Sequence, residues 1–336
     1  MDKERIEIKN DRSIKEAALW IKKGGVVAFP TETVYGLGAS AVNPQAVKKI
    51  FEAKGRPSDN PLIVHIATRE QLDQLVSHVS YKAEALIKAF WPGALTLIVK
   101  NEGAVAENVT AGLSTVAVRM PNHYLALALI EEAGVPLAAP SANLSGRPSP
   151  TTAQHVLEDL NGRIAGILDG GETGVGIEST VLDVSTDEPI LYRPGGVTKE
   201  QIEAVIGPIT IDPVLSGAKE VARSPGMKYT HYAPNGQLII VQEQAKIQSY
   251  VNRAQQEGHK VGILTTVESQ ASYRADTVIA CGRRSDLESV AKQLYQSLRQ
   301  FDERGIEVIY AETFPVEGVG VAIMNRLEKA AGGRIV

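Results

Sequence analysis

Two cations separated by a single glycine stand in the run Lys54-Gly55-Arg56-Pro57. An ammonium and a guanidinium at this spacing can surround a polyphosphate, and a guanidinium binds phosphate oxygens through paired hydrogen bonds. Cations are also typical of the last turn of a helix, where the helix dipole is negative. The residue types alone therefore leave two interpretations open, a nucleotide site and a solvated helix end.

Two further side chains capable of chemistry, His65 and Arg119, lie in apolar sequence. Arg119 ends the apolar stretch that begins at Thr115, and a charge there is costly to bury without an anionic partner. That partner is either a carboxylate of the protein or the carboxylate of a substrate. His65 is flanked by apolar residues, so it is either a hydrogen-bonded core histidine or a ligand-binding one.

Several other segments combine glycine with hydroxyl, amide or cationic groups. Segments 30–38, 140–146 and 174–180 read PTETVYGLG, PSANLSG and GVGIEST, and 192–196 reads YRPGG. Hydroxyl, amide and backbone N–H donors in one turn suit phosphate or ribose oxygens, although such residues also cap their own loops. None of the segments matches the GxxxxGK[ST] pattern of a Walker loop.

All of these clusters lie at the ends of predicted strands, where α/β folds place ligands. Periodicity predicts alternating strands and helices along the whole chain. The predicted strands are 26–29, 62–66, 95–99, 115–119, 135–139, 167–168, 180–183, 190–193, 237–241, 260–265, 277–280 and 308–310. The predicted helices include residues 152–160. The sequence therefore predicts an α/β fold that brings the clusters to one region.

The pattern changes between residues 207 and 234, where four prolines fall and periodicity is weak. A segment of this length without regular structure is uncommon inside a domain. We therefore predict a first domain over 1–207, an interdomain linker over 208–235 and a second domain over 236–336. Strands alternating with long helices in the second domain indicate a parallel, doubly wound sheet.

Composition narrows the possible functions. The chain has 336 residues, a net charge of −4 and one cysteine, Cys281. The acidic balance argues against a broad nucleic-acid surface, and a single cysteine excludes an internal disulfide or a multi-cysteine zinc site. We predict that Cys281 is a buried small hydrophobe. No stretch approaches 18 uncharged apolar residues, so we expect no membrane span and a cytoplasmic protein.

The clusters occur in one order and at one spacing, as PTETVYGLG, KGRP with NPL, AVRMP, PSAN, GIEST and RPG. In this respect the chain resembles the YrdC-like threonylcarbamoyl-AMP synthases. Segment 224–234, SPGMKYTHYAP, resembles the linker signature of their long, two-domain form. The resemblance implies an N-terminal YrdC-like twisted α/β domain with a concave site and a smaller, Rossmann-like C-terminal domain.

The resemblance also implies an activity. L-Threonine, bicarbonate and ATP would give threonylcarbamoyl-AMP and pyrophosphate, the first step of threonylcarbamoyladenosine modification of tRNA beside the anticodon. Mg²⁺ would accompany the ATP, mostly on phosphate oxygens and water, with no metal site built from protein residues. The product would pass to a threonylcarbamoyl transferase complex, and we expect neither membrane association nor stable nucleic-acid binding.

The resemblance implies a role for each residue whose position matches a motif of the family. Lys54 and Arg56 would be the catalytic cations. The nucleotide would be held by Arg56, Asn60, Thr115, Ser141, Asn143, Ser149, Arg193, Tyr229 and His231. Threonine would be held by Thr31, Thr33, His65, Arg119, the Ala139 backbone and Ser179, with Arg119 on its carboxylate. The resemblance further suggests that the linker, including Tyr232, folds over the site as a gate.

Two other functions remain as alternatives, and a third is excluded. An RNA-binding module would show salt-dependent RNA affinity without pyrophosphate release. A general amino-acid-adenylating enzyme would exchange pyrophosphate without bicarbonate. A carbamoyltransferase of the hydrogenase-maturation type is excluded, because it needs cysteine-rich zinc modules that the single Cys281 cannot supply.

Overall fold

The computed structural model describes residues 11–58, 60–76, 78–213 and 231–336. Two compact units divide the chain. The first contains the described residues up to 213, apart from the segments Gly146–Ser149 and Val175–Ile177. The second contains those two segments and residues 231–336. Most of the predicted linker, including Tyr229, lies outside the described residues.

A ten-stranded mixed sheet forms the framework of the first unit, in the order β10-β9-β8-β4-β5-β3-β6-β2-β1-β7. Parallel pairs such as β3–β5 and β4–β8 alternate with antiparallel pairs such as β3–β6 and β4–β5. The strands are β1 (Val27–Phe29), β2 (Gly36–Ser40), β3 (Ile63–His65), β4 (Leu95–Lys100), β5 (Thr115–Arg119), β6 (Leu137–Ala138), β7 (Gly166–Ile167), β8 (Thr180–Asp183), β9 (Ile190–Arg193) and β10 (Thr210–Ile211).

Most helices of the first unit start at a residue whose side chain accepts a hydrogen bond from the first turn. Asn43 accepts hydrogen bonds from two backbone amides at the start of α2, and Thr198 forms a capping box with Gln201 at the start of α8. Such caps satisfy amides that have no partner inside the helix. The helices are α1 (Asp11–Lys22), α2 (Pro44–Lys54), α3 (Arg69–Leu75), α4 (Tyr81–Phe90), α5 (Glu107–Thr110), α6 (Tyr124–Ala133), α7 (Ala153–Leu160) and α8 (Lys199–Ile206).

Strand β2 was not predicted from the sequence, because two glycines in five residues disfavour a strand. The structure shows why glycine is needed there. A Cβ atom at Gly38 would lie 2.7 Å from the Phe29 ring, and one at Gly36 would lie 3.1 Å from it. The fully buried Phe29 therefore fills the space over β2 and fixes the antiparallel β1–β2 pair. This pair places segment 30–35 at the edge of the site.

The second unit has a separate four-stranded sheet, in which all strands are parallel, in the order β11-β14-β12-β13. This arrangement confirms the predicted parallel α/β class. Its elements are β11 (Gln237–Val241), α9 (Ile247–Gln256), β12 (Val261–Thr265), β13 (Thr277–Ala280), α10 (Leu287–Glu303), β14 (Val308–Glu312) and α11 (Gly320–Ala331). Cys281 follows β13, is buried as predicted and donates to the Thr265 carbonyl over 3.3 Å.

No helix among the described residues is long and apolar enough to cross a lipid bilayer.

Candidate active site

Lys54 lies at the end of α2, but it is not a solvated helix end. Its side chain is buried, and its ammonium donates to the carbonyl oxygens of Ser141 (2.6 Å) and Asn143 (2.7 Å). A third, longer contact reaches the Asn143 amide oxygen at 3.4 Å. Burial, followed by the nearby charge of Arg56, lowers the pKa of Lys54 well below its ordinary value. Lys54 thus joins α2 to the loop that follows β6.

That loop is further ordered by its own side chains. The Ser141 hydroxyl donates to the Asn143 amide oxygen over 2.6 Å, and the Asn143 amide donates to the Leu144 carbonyl over 2.8 Å. Asp159 in α7 accepts the Leu144 amide over 3.2 Å. The predicted nucleotide residues Ser141 and Asn143 are therefore held in one defined turn beside Lys54.

Arg119 ends β5 and is buried, as the sequence predicts for the last residue of an apolar strand. One guanidinium nitrogen forms a very short ion pair with the Glu32 carboxylate. A second donates to the Thr33 hydroxyl over 2.9 Å, and Nε donates to the Gly93 carbonyl over 3.1 Å. The Thr31 hydroxyl bonds to that of Thr33 over 2.8 Å. The predicted threonine residues Thr31, Thr33 and Arg119 thus form one connected group.

His65 ends β3 directly beside Arg119, because the parallel register pairs the two residues. Its ring is buried, lies edge-on to Phe29 and has Nδ1 3.2 Å from the Ile63 carbonyl. Burial, followed by the Arg119 charge, lowers the pKa of His65 to about 3. The imidazole is therefore neutral at physiological pH, and an Nδ1–H bonded to Ile63 leaves Nε2 as an acceptor.

Arg193 and Ser179 are joined through β8 and β9. Arg193 is buried and donates from Nε and Nη2 to the Ser179 carbonyl over 3.1 and 2.9 Å. The Ser179 hydroxyl bonds to that of Thr96 over 2.8 Å. A Cβ atom at Gly195 would lie 2.4 Å from the Glu178 carbonyl oxygen, so only glycine allows this backbone approach. Residues 178–180 of the GIEST motif and the RPG segment consequently pack against each other.

Asn60 and Thr115 lie at the opposite end of the central strands. The β3–β5 register pairs Ile63 with Ala117, which brings the residues preceding both strands together. Asn60 is fully buried, and neither polar atom of its side chain has a hydrogen-bond partner within the described part of the chain. A buried amide left unsatisfied is costly, so Asn60 is suited to bind a polar ligand.

The first unit contains the Lys54, Arg119 and Arg193 groups, while Asn60 and Thr115 lie at the other end of β3 and β5 from His65 and Arg119. The charges of Arg56, Asp159 and Glu178 all act on the Lys54 ammonium. Arg56 also lies over the Phe51 ring, 5.5 Å from its centre. The Ala139 amide donates to the Ile63 carbonyl over 2.9 Å, between the His65 and Asn60 ends of β3.

Three predicted nucleotide residues lie outside the described part of the first unit. Ser149 and His231 belong to the second unit, where the His231 ring lies 5.6 Å from that of Tyr232. Tyr229 lies outside the described residues.

Sequence reasoning did not assign a role to Glu32, Thr96 or Asp159. Glu32 stands inside the PTETVYGLG run, between two threonines that were selected. A carboxylate directly adjacent to two predicted substrate-binding hydroxyls, those of Thr31 and Thr33, is a usable signal. The partner of Glu32 is 87 residues away, and nothing in the local sequence identifies it. Asp159 and Thr96 lie in an amphipathic helix and an apolar strand, and they carried no signal.

Comparisons with known proteins assign the chain to a family. Residues 20–195 match the Sua5–YciO–YrdC family, described as "Telomere recombination". Residues 197–332 match the family described as "Threonylcarbamoyl-AMP synthase, C-terminal domain". A curated relative from Bacillus subtilis, named threonylcarbamoyl-AMP synthase, is 61% identical over 97% of this chain and 95% of its own.

A solved relative has the same fold. The crystal structure of Pyrococcus abyssi Sua5 complexed with L-threonine has a TM-score of 0.94 and 49% identity, covering 99% of this chain and 98% of that one. A shorter relative from Mycobacterium tuberculosis, a putative threonylcarbamoyl-AMP synthase, is 39% identical over 58% of this chain and 90% of its own. The buried cationic group, the motif order and both domain matches agree, and the chain belongs to the Sua5–YciO–YrdC family in its long form with the Sua5 C-terminal domain.

Proposed function

We propose that the protein is an L-threonylcarbamoyladenylate synthase, which converts L-threonine, bicarbonate and ATP to threonylcarbamoyl-AMP and pyrophosphate. The observation that carries this proposal is the convergence of buried Lys54, Arg119 and Arg193 on motif loops of one unit. Full-length relatives named threonylcarbamoyl-AMP synthase support it. The reaction would be the first step of threonylcarbamoyladenosine formation in tRNA.

The amino acid would bind at the Arg119 end of β3 and β5. The guanidinium of Arg119 would hold the substrate carboxylate, since guanidinium and carboxylate match in charge and geometry. Neutral His65, with Nε2 as acceptor, suits the substrate hydroxyl. Ser179 and the Ala139 backbone would complete the threonine site. The solved relative complexed with L-threonine supports L-threonine as the substrate.

The nucleotide would bind along the Lys54 loop. Ser141 and Asn143 would contact it from the turn that Lys54 orders, and Asn60 would satisfy its buried amide with a nucleotide oxygen. Arg56 and Arg193 would place positive charge near the phosphates. Thr115, Ser149, Tyr229 and His231 complete the proposed set on the strength of the motif match alone.

The reaction mainly requires that the protein hold the reacting groups in the correct positions. The threonine amine and bicarbonate form a carbamate and release water; a carbamate oxygen then attacks the α-phosphorus, and pyrophosphate leaves. Negative charge builds at phosphorus, and fixed cations such as Lys54 and Arg56 stabilise it. Holding the reactants in line can lower the barrier by about 7–11 kcal/mol at best. Excluding water protects both the carbamate and the mixed anhydride.

A metal ion would accompany the triphosphate. Among the described residues, no group of three or more His, Cys, Asp and Glu is placed to hold one. The site instead offers cations, hydroxyls and the buried Asn60 carbonyl oxygen, a donor type that Mg²⁺ accepts. These residues fit a Mg²⁺ ion carried mostly by phosphate oxygens, with Asn60 as candidate protein ligand. When bound, Mg²⁺ would neutralise charge on the phosphates.

The remaining parts of the proposal concern organisation and partners. The catalytic domain would span 1–207 and the C-terminal domain 236–336, with linker residues 208–235 gating the site. The product would pass to a transferase complex acting on tRNA, in the cytoplasm, where ATP and threonine are supplied. The acidic net charge of −4 supports a protein without stable nucleic-acid binding.

ATP turnover in the presence and absence of each co-substrate tests the function. We expect pyrophosphate release only when threonine and bicarbonate are both present, with a product of the mass of threonylcarbamoyl-AMP. Pyrophosphate exchange that needs threonine but not bicarbonate would instead indicate simple amino-acid adenylation.

A further inference from the structure

Glu32 forms an ion pair with the guanidinium group of Arg119. The proposed function assigns the same guanidinium group to the substrate carboxylate. The Glu32 carboxylate contacts one terminal nitrogen of Arg119 at very short range. A bound amino acid and Glu32 would thus compete for the same guanidinium nitrogen. The inference below rests on the proposed threonine site and gives Glu32 a role within it.

Arg119 does not need Glu32 to stay in place. Its Nη1 donates to the Thr33 hydroxyl over 2.9 Å, and its Nε donates to the Gly93 carbonyl over 3.1 Å. Thr33 is itself fixed by the Thr31 hydroxyl at 2.8 Å. Two neutral acceptors therefore position the guanidinium, while Nη2 is the nitrogen that faces a carboxylate. Replacement of the Glu32 carboxylate by another carboxylate at Nη2 therefore leaves the contacts of Arg119 with Thr33 and Gly93 intact.

Glu32 is incompletely satisfied in this pair. Its Oε1 atom is buried and has no hydrogen-bond partner among residues 11–58, 60–76, 78–213 and 231–336. The Glu32 side chain is 14% exposed, whereas that of Arg119 is only 4% exposed. A permanent buried ion pair is expected to satisfy its remaining lone pairs. Glu32 is therefore the more accessible partner, and one of its oxygens lacks a donor within the described part of the chain.

Neighbouring histidines do not supply the missing cation. The Glu32 charge acts on His123, but burial of that ring is the larger effect and lowers the pKa of His123. His123 Nδ1 accepts the Leu125 amide over 3.2 Å at the start of α6. His65, beside Arg119, is also neutral because burial and Arg119 lower its pKa to about 3. A cation brought by the substrate would meet no positively charged histidine here.

We propose that Glu32 is a substrate-binding residue that exchanges partners, from the Arg119 guanidinium to the α-ammonium group of the amino acid. The incoming carboxylate takes the Nη2 position on Arg119. The displaced Glu32 carboxylate then receives the ammonium group and gains the donor that it lacks. Every charge has an opposite partner before and after binding, which avoids leaving a buried charge uncompensated.

This exchange makes the site selective for a free α-amino acid. A threonine analogue without the amino group displaces Glu32 but offers it no cation. Two carboxylates then lie close together in a poorly solvated site, which is unfavourable. The predicted consequence is that Glu32 favours threonine binding and opposes binding of the des-amino analogue, 3-hydroxybutanoate.

Calorimetric titration of two ligands into wild type and Glu32→Gln tests the exchange. For L-threonine, we expect Glu32→Gln to weaken binding by about tenfold, as for loss of a charged hydrogen bond. For 3-hydroxybutanoate, we expect the same variant to bind more tightly than wild type, by a comparable factor. The opposite signs are the signature, because a merely structural role for Glu32 would weaken both ligands alike.

Glu131→Gln on the exposed surface of α6 removes the same charge and serves as the matched control. We expect it to bind both ligands as wild type does. Equal changes for both ligands in Glu32→Gln, with threonine bound by wild type, would overturn the exchange alone. Failure of wild type to bind threonine would instead contradict the proposed function.

A structure of wild type with bound threonine tests the exchange without any variant, and so covers the case in which Glu32→Gln does not fold. We expect Glu32 within hydrogen-bond distance of the substrate nitrogen and separated from Arg119. An intact Arg119–Glu32 pair beside bound threonine would overturn the proposal.

Discussion

The ammonium nitrogen of Lys54 lies 2.7 Å from the carbonyl oxygen of Asn143, across 89 residues of sequence. With the Ser141 carbonyl at 2.6 Å, this contact makes a buried lysine the support of a ligand-binding turn. Lys54 therefore has a positioning role in the structure, in addition to the charge that it places near the nucleotide.

Replacing Lys54 with methionine nearly keeps the length of the side chain and removes the ammonium group that donates to both carbonyls. We expect kcat/KM for ATP to fall by about a hundredfold or more, because the Ser141–Asn143 turn loses its support and the site loses a cation. Two buried carbonyls would lose their partners, so the free energy of unfolding should fall by about 1–3 kcal/mol. Pyrophosphate release and urea denaturation measure the two effects.

Lys48→Met, in the exposed part of the same helix, is the control for loss of charge and helix propensity. Its ion pair with Glu52 is solvent-exposed and contributes little. Full activity in Lys54→Met would contradict both roles of Lys54.

Asn60 offers a test in which stability and activity move in opposite directions. Asn60→Leu removes a buried amide that has no partner among the described residues, so the free energy of unfolding should stay constant or rise, by up to about 1 kcal/mol. The KM for ATP should rise by about tenfold or more, because the proposed nucleotide and Mg²⁺ contact is lost.

Asn143→Leu is the matched comparison. Asn143 bonds to Ser141, Leu144 and Lys54, so its replacement should destabilise the protein as well as impair activity. Equal loss of stability in the two variants would show that Asn60 has a structural partner.

The sequence predicted those parts of the protein that are encoded locally. The predicted helix 152–160 is α7, Ala153–Leu160, because Thr152 caps it and the apolar period is regular. Strand β2 was not predicted, because its glycines are explained only by the packing of the Phe29 ring against them in the folded chain.

The candidate site likewise has parts that the local sequence predicts and parts that depend on contacts between remote segments. Arg119 ends the apolar strand β5, as the residue types predict, and is buried, whereas Lys54 ends helix α2 and is buried rather than solvated. The sequence could not predict that Glu32 neutralises Arg119, or that Lys54 bonds to backbone carbonyls of a loop 87 residues away. Such contacts depend on the strand order β5-β3-β6-β2, which no local pattern encodes.

The pKa of His65 gives stability a specific dependence on pH. The folded pKa is about 3, below the ordinary value of 6.5, because burial and Arg119 disfavour the charged ring. Between these two values the unfolded chain binds the proton and the folded chain does not. His65 therefore makes stability fall as pH decreases from about 6.5 to 3, by up to ~1.4 kcal/mol per pH unit.

His65→Gln should remove this contribution, so that its unfolding free energy depends less steeply on pH between 4 and 6.5 than that of wild type. Urea denaturation at several pH values measures the two slopes. Parallel curves for wild type and His65→Gln would mean that folding leaves the pKa of His65 unchanged.

Gly195 tests whether the RPG and GIEST segments act as one piece. A Cβ atom there would lie 2.4 Å from the Glu178 carbonyl oxygen and from the Thr180 amide nitrogen, and backbone atoms cannot move aside as a flexible side chain can. Gly195→Ala should therefore separate the two segments, lengthen the Arg193–Ser179 contacts and cost about 1–3 kcal/mol of stability. Gly174→Ala, in the same region, has its nearest contact at 3.9 Å and should be tolerated. If Gly195→Ala matched Gly174→Ala in both threonine affinity and unfolding free energy, the close packing of these segments would have no bearing on the site.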